Sequence, residues 1–333
     1  MMRKRQQGFA HKLLERLLNP RRLWDSIAFR VGKFLYPRYK RPVVILYRYT
    51  KALGDNLMLT TVAREVRKRN PNAIIHVITG LPEIFDRNPD VDFVSPEPDR
   101  PIPGLGRYLI RYEHRFPWKK HFLHYCVECV DIKGPIELRT YIYPSKADRE
   151  WAQNIIQRWN GQRPILVNRI AGPRNSDKKN WPTEYWIELI CKLLEQWPVI
   201  DIGKSMDATL DFQSPNWLDL RGQTTIHQMA ALMEQSLLLI GPDSGPLHLA
   251  AACGLPALII LGGSEPPVAT QYPGCRSLVS RPPCCDCWEQ GPCLFDFRCL
   301  RDITPDMVFK EAVSMIEERM AGNYAEKSPL HHK

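Results

Sequence analysis

A chain of 333 residues with 44% apolar and 25% charged residues is long enough for two globular domains and too balanced in composition for a disordered or fibrous protein. It holds no apolar run of the ~18–20 residues that a bilayer-spanning helix needs. The net charge of +10 is concentrated in residues 1–41, where twelve Lys/Arg stand against Glu15 and Asp25, so the remainder is neutral overall.

Those first 41 residues carry apolar side chains at helical spacing, Leu13, Leu14, Leu17 and Leu18, then Trp24, Ile27, Val31 and Phe34, interrupted by Pro20. Two short basic amphipathic helices are expected. They suit an anionic membrane surface or packing on the body of the protein. The stretch has neither the uninterrupted apolar core nor the cleavage site of a secretory signal, so the expected location is cytoplasmic, peripheral on the inner face of the membrane. It also lacks a recognised nucleic-acid module, and no nucleic-acid partner is expected.

From residue 43 the pattern alternates. Val43–Tyr47 reads as a buried strand, Leu53-Gly54-Asp55 as a turn, and Asn56 to Arg69 as a helix stopped by Asn70-Pro71. Strands over 73–78 and 92–94 follow, and the Pro- and Arg-rich residues 81–120 read as surface loops. Ser145 and Asp148 form a capping-box pattern that opens a helix to about Trp159, with the boundary between two domains near 160. In the second half, strands are expected over 164–168, 199–202, 237–240 and 257–261. Helices are expected from Thr183 to Gln196, Thr225 to Gln235, Pro246 to Cys253 and from Thr304-Pro305 to about 322. Strand and helix in alternation imply parallel sheets with crossover helices, an α/β chain of two Rossmann-like domains, 42–160 and 161–305, closed by the helix 305–322.

The segment most suggestive of chemistry is Gly241-Pro-Asp-Ser-Gly-Pro-Leu-His248, where an apolar strand turns into a helix with Pro246 as its first residue and Ser244 or Gly245 as cap. Such a turn lies at the carboxyl end of the sheet, and a helix N-terminus offers free N–H groups and partial positive charge to a diphosphate. Asp243 would repel that phosphate, so it reads as a residue that orients donors, accepts a sugar hydroxyl or holds a cation. His248 lies one turn inside the helix and either reaches a phosphate or packs internally. Of the ten cysteines, five fall within 284–299 as C-C-x-C-x5-C-x5-C. This is not a standard zinc-finger spacing; free thiols are expected and no metal is assigned. His121, His124, Cys126 and Cys129 are read as one face of an amphipathic helix over 122–130.

The segment 241–256 with Gly262-Gly263-Ser264, the opening Leu53-Gly-Asp-Asn-Leu-Met-Leu-Thr-Thr61, the loop Asp177-Lys-Lys-Asn-Trp-Pro182 and the tail Cys299-Leu-Arg-Asp-Ile-Thr-Pro305 together resemble the family 9 glycosyltransferases, the lipopolysaccharide heptosyltransferases. The resemblance covers about residues 43–320 in the right order. It implies the GT-B arrangement, two Rossmann-like domains facing a cleft, and inverting transfer of a sugar, heptose above all, from a nucleotide diphosphate such as ADP-heptose to a hydroxyl of a glycolipid, with no cofactor required. It implies Asp55 as catalytic base, a residue whose sequence context otherwise reads as a helix N-cap. It implies Lys179, with Lys178 as its adjacent alternative, Asp243, Ser244, Gly245 and His248 as donor contacts, with Arg174 and Asn175 assisting, and Asp207 as the ribose contact. Arg48, Lys51 and Asn56 are the implied acceptor contacts; the loop 48–53 is one residue longer than the family pattern, leaving open whether Arg48 or Lys51 faces the site. A nucleotide-sugar epimerase of the same layout and a non-catalytic nucleotide-sugar-binding relative are the rival readings, and a dinucleotide dehydrogenase is disfavoured because no G-x-G-x-x-G follows the first strand.

Overall fold

The computed structural model describes residues 43–48, 50–96, 107–112, 117–172, 178–204, 209–285, 287 and 292–321. The basic segment 1–41, Arg174, Asn175, Asp177 and Asp207 lie outside the described residues.

The first unit holds β1 (Val43–Arg48), α1 (Leu53–Arg69), β2 (Ile74–Thr79), β3 (Phe93–Pro96), β4 (Arg107–Leu109) and α2 (Phe122–Glu128). Its strands are all parallel in the order β3-β2-β1-β4, with Val43 opposite Ile74 and Arg48 opposite Thr79. The second unit follows as α3 (Lys146–Ile156), β5 (Ile165–Val167), α4 (Thr183–Leu194), β6 (Val199–Asp201), β7 (Trp217–Asp219), α5 (Ile226–Glu234), β8 (Leu238–Gly241), α6 (Gly245–Cys253), β9 (Ala257–Leu261), β10 (Cys275–Val279), α7 (Arg298–Arg301) and α8 (Pro305–Met320). Its six parallel strands run β10-β9-β8-β5-β6-β7. Such strands are covered on both faces, which is why β5, β8 and β9 are unbroken apolar runs without alternation.

The alternation read from sequence is therefore present, with local corrections. Helix α1 begins at Leu53, three residues before Asn56, with Ala52 at the cap position and no side chain capping it. Asp55 is thus inside the first turn rather than the N-cap. Helix α4 has Pro182, not Thr183, at its cap, and α6 starts at Gly245, one residue before Pro246. Strands β4, β7 and β10 were not legible, being short or half-buried edge segments that carry little apolar periodicity. The capping boxes at Ser145–Asp148 and Thr225–Gln228 form as their sequences dictate. Helix α3 packs on α5, joined by the Arg149–Glu234 ion pair, so its contacts are with the second unit although it precedes residue 160.

Among the described residues, two large apolar cores result, beside a small cluster of Ile45, Tyr47 and Ile78. One lies between β5, β8, β9 and the helices α4 and α8, around Trp186, Leu189, Ile240 and Ile260. The other runs without a break from Leu57, Leu59 and Val62 of α1 to Leu247, Leu249 and Ala250 of α6. The two units consequently meet helix on helix, α1 against α6. Glycines set the closeness of that contact: a Cβ on Gly54 would stand 2.4 Å from His248 Cδ2, and one on Gly245 2.7 Å from Leu53 Cβ. The N-termini of α1 and α6 are therefore side by side.

Candidate active site

Strand order locates the site before any side chain is considered. In the first sheet the chain reverses its direction of growth between β1 and β4, in the second between β5 and β8. Ligands of open α/β sheets bind outside the carboxyl ends of the strands at such switch points. The residues there are Arg48, Asp55 and Tyr112 on one side, and Asn168, Asp243 and Ser244 on the other.

On the first side, Arg48 at the end of β1 is buried. Its Nη1 donates to the Ile110 carbonyl at 2.7 Å and its Nη2 lies 2.9 Å from Asp55 Oδ2. The Tyr112 hydroxyl donates to the other carboxylate oxygen, Oδ1, at 3.0 Å. Tyr112 is itself held by stacking on Phe122, with ring centroids 4.0 Å apart. Asp55 is thus gripped at both oxygens yet keeps 16% of its side chain exposed, and each oxygen has a further lone pair for an incoming hydroxyl. Of Arg48 and Lys51, Arg48 contacts Asp55, whereas Lys51 is exposed on the connecting loop. Asn56 does not face this opening. Its amide nitrogen donates to the Thr50 and Ala52 carbonyls at 2.9 and 2.8 Å and its oxygen accepts from Thr79, so it braces the β1–α1 loop from inside.

On the second side, Lys179 Nζ lies 3.0 Å from both carboxyl oxygens of Glu265 and 3.4 Å from Asp243 Oδ2. All three are withdrawn from solvent. Burial opposes ionisation of Asp243, but the Lys179 ammonium and a hydrogen bond from Glu265 outweigh it and hold the carboxyl down at about 2. Burial also works against the Lys179 charge, and the two acids reverse that and raise it above its ordinary value. Glu265 is pushed well above the usual carboxylate range by burial and by the neighbouring Asp243 charge. The Ser244 hydroxyl does not cap α6; it donates to Asn168 Oδ1 at 2.8 Å, which ties the turn to the end of β5. Gly241 and Gly245 allow close approach of neighbouring residues, since a Cβ on Gly241 would stand 2.9 Å from the Asn168 carbonyl oxygen and one on Gly245 2.7 Å from Leu53 Cβ, and Gly245 opens the N-terminus of a nine-residue helix.

Between the two sides sits His248. Its Nδ1 is 2.6 Å from the Tyr272 hydroxyl and its carbonyl accepts from Thr140, so of the two roles left open for it the internal one is realised. Burial keeps this imidazole below its ordinary pKa, against the charges of Asp243 and Asp55 that flank it. Two carboxylates on separate helix N-termini, one beside an arginine and one beside a lysine, thus face one histidine at the junction of the units.

With that geometry in place, residues 130–279 match the profile of glycosyltransferase family 9 (heptosyltransferase). Over those residues, a little under half of the chain, the protein is similar to the family 9 glycosyltransferases, the heptosyltransferases. Lipopolysaccharide heptosyltransferase 2 of Salmonella typhimurium is 28% identical over 117 residues, which is 32% of this chain and 33% of that protein. The matched segment therefore spans about a third of the length of that curated relative. Among solved structures, the Escherichia coli ADP-heptose LPS heptosyltransferase II aligns over 84% of this chain and 99% of its own, with TM-score 0.64 and 17% identity. The iron-containing dodecameric glycosyltransferase TibC of enterotoxigenic E. coli H10407 aligns over 84% of this chain and 77% of its own, with TM-score 0.61 and 17% identity. The likenesses to solved structures show the GT-B fold, two Rossmann-like domains.

The remaining expected residues and several unexpected ones then take their places. Lys178 turns away from Lys179, donating to the Cys287 carbonyl at 3.2 Å. None of the ten cysteines forms a disulfide, and Cys285 and Cys299 pack about Gly263. Among the described residues no group of three or more His, Cys, Asp or Glu forms a metal site, and no helix is long and apolar enough to cross a membrane. Sequence reasoning missed Glu265, Asn168, Tyr112 and Tyr272. It also missed a buried network at the ends of β5–β7, in which Asp201 lies 2.8 Å from Arg169 and 3.2 Å from Arg221. The signal for Glu265 was its position four residues past the strand β9, beside the recognised turn in the sheet; for the others, none existed outside the fold.

Proposed function

We propose that this protein is an inverting glycosyltransferase that moves a sugar, heptose from ADP-heptose, to a hydroxyl of a lipopolysaccharide-type glycolipid. The observation that carries this reading is the pairing of Asp55 on α1 with Lys179, Asp243 and the N-terminus of α6 across one domain junction. The family 9 match and the name of the E. coli neighbour support the choice of donor.

In this reaction Asp55 accepts the proton of the acceptor hydroxyl. The acceptor oxygen bonds to the anomeric carbon as the bond from that carbon to the diphosphate breaks, its electron pair leaving on the diphosphate. Proton transfer to a positioned carboxylate contributes typically about 10²–10⁴ in rate. Arg48 and Tyr112 orient the base through its two oxygens while leaving lone pairs to the acceptor. The departing diphosphate gains charge, and the Lys179 ammonium with the N–H groups at the start of α6 are fixed in place to receive it. Lys178, directed elsewhere, is not assigned a phosphate. The reaction needs no cofactor beyond the donor. The basic, apolar segment 1–41 is assigned to the anionic surface in which a glycolipid acceptor is embedded, on the cytoplasmic face.

A panel of nucleotide sugars tested by thermal shift checks the donor. ADP-heptose at 100 times its Kd should add about 2.7 kcal/mol to stability. Stabilisation by a different nucleotide sugar alone would overturn the assignment of the donor, and turnover of donor without any acceptor would favour an epimerase.

A further inference from the structure

The Lys179 site contains more acid than a phosphate-binding pocket should tolerate. Asp243 follows β8 and Glu265 follows the adjacent strand β9, so neighbouring strand ends deliver two carboxyl groups to one ammonium. Glu265 meets the Lys179 ammonium with both of its oxygens and Asp243 meets the same ammonium with Oδ2, so two buried carboxyl groups share one cation. Two buried carboxyl groups gathered on one cation drive one of the pair towards its protonated form. If both were ionised the cluster would be anionic and would repel the nucleotide diphosphate that this site is read as binding; with one proton shared, it is neutral.

We propose that Glu265 is a positioning residue of the donor site: it forms with Asp243 a buried carboxyl pair that holds one proton between them and fixes the Lys179 ammonium for the donor diphosphate. The proposal rests on the donor-site reading above. Its physical basis is that like charges gathered on one ammonium in a buried site drive one carboxyl to its neutral form. The raised affinity of Glu265 for its proton and the lowered affinity of Asp243 agree in assigning that proton to Glu265. The other ionisable groups facing the pair do not supply a second compensating cation: His248 and His121 are held neutral by burial, and Arg48 is engaged by Asp55 on the far side of His248. Lys178 directs its ammonium to the Cys287 carbonyl. Glu265 thus acts on the substrate through Lys179 rather than by touching it.

The experiment is calorimetric titration of ADP into the full-length protein and into its E265A and E265Q variants. E265A removes both the contact to Lys179 and the donor to Asp243 and should weaken ADP binding about tenfold, the cost of a hydrogen bond to a charged group. E265Q, which is neutral like the protonated acid and keeps a donor and an acceptor, should recover most of that loss. Were Glu265 ionised, E265Q would delete a negative charge beside the diphosphate and tighten ADP by tenfold or more; that result overturns the proposal, as does an E265A variant with wild-type affinity. Should E265A fail to fold, infrared spectroscopy of the wild type decides: a protonated-carboxyl stretch that vanishes in E265Q supports the proposal, and its absence from the wild type overturns it. If the wild type does not bind ADP at all, the donor-site reading fails together with this inference, whereas ADP binding without the E265A and E265Q effects sinks the Glu265 role alone.

Discussion

Substituting Gly54 by Ala places a methyl group 2.4 Å from His248 Cδ2 and 2.9 Å from its Nε2, where ordinary contact is 3.4–4 Å. Something must therefore move by about 1 Å. The imidazole cannot easily turn aside, because its Nδ1 is bonded to the Tyr272 hydroxyl at 2.6 Å and the Tyr272 ring packs edge-on against His121. Relief requires α1 and α6 to separate. Overpacking of this kind costs about 1–3 kcal/mol, against a gain of at most about 1 kcal/mol from the better helix propensity of Ala. A net loss of about 1–2 kcal/mol is expected. The same displacement shifts Asp55, the next residue, relative to Lys179, so catalytic turnover should fall more than ADP affinity. Denaturant melts of the four members of the Gly54→Ala, His248→Ala cycle measure the contact itself. Removing the imidazole should abolish the penalty of the Gly54→Ala substitution, giving a coupling of about 1 kcal/mol or more. An unchanged penalty in the His248→Ala background, or no penalty in the wild type, would refute the close contact of the two helices.

Three further outcomes follow from particular groups. Burial, reinforced by the neighbouring His248 and His124 rings, which disfavour a further proton there, lowers the pKa of His121 from 6.5 to about 3; the folded protein then binds fewer protons than the unfolded chain between those values, and stability is lost as pH falls through that window. At pH 5 the loss from this one group is about 2 kcal/mol, and His121→Asn, which can keep the cap to the Leu123 N–H, should flatten the acid limb of the urea-stability curve. Thr225→Ala breaks a complete capping box on α5, in which Thr225 accepts from the Gln228 N–H and the Gln228 side chain accepts from the Thr225 N–H, and should cost about 1 kcal/mol by thermal melt. Lys179→Met should weaken ADP binding by tenfold or more in calorimetry, while Lys178→Met should not, since their ammonium groups point to different partners.

Much of the fold was legible because local rules acted alone there. Apolar runs of buried parallel strands, Gly and Asn stops and Ser or Thr caps are decided within a few residues, and β1, β5, β8, β9 and the Ser145 capping box follow from them. Asp55 and Lys179 are reached through motif resemblance, and the structure brings both to the junction of the two units. Asn56 reads as an acceptor contact from its neighbour's role, whereas the fold turns its amide inward to the Thr50 and Ala52 carbonyls. Glu265, Tyr112 and Tyr272 were invisible for a related reason. Each acts on a residue far away in sequence, Tyr112 on Asp55 and Tyr272 on His248, and such pairs are created only by sheet order and helix packing.

Acceptor-dependent release of ADP from ADP-heptose, measured for the purified wild type and for Asp55→Asn, bears most directly on the transfer reaction. Asn preserves the size of the side chain and its bond from Tyr112 but cannot take up the acceptor proton. The wild type should release ADP only when a glycolipid acceptor is present, and Asp55→Asn should retain ADP binding while losing about 10²-fold or more in rate. Undiminished acceptor-dependent turnover in Asp55→Asn, or no turnover by the wild type with any acceptor, would contradict the assigned base in the first case and the transferase itself in the second.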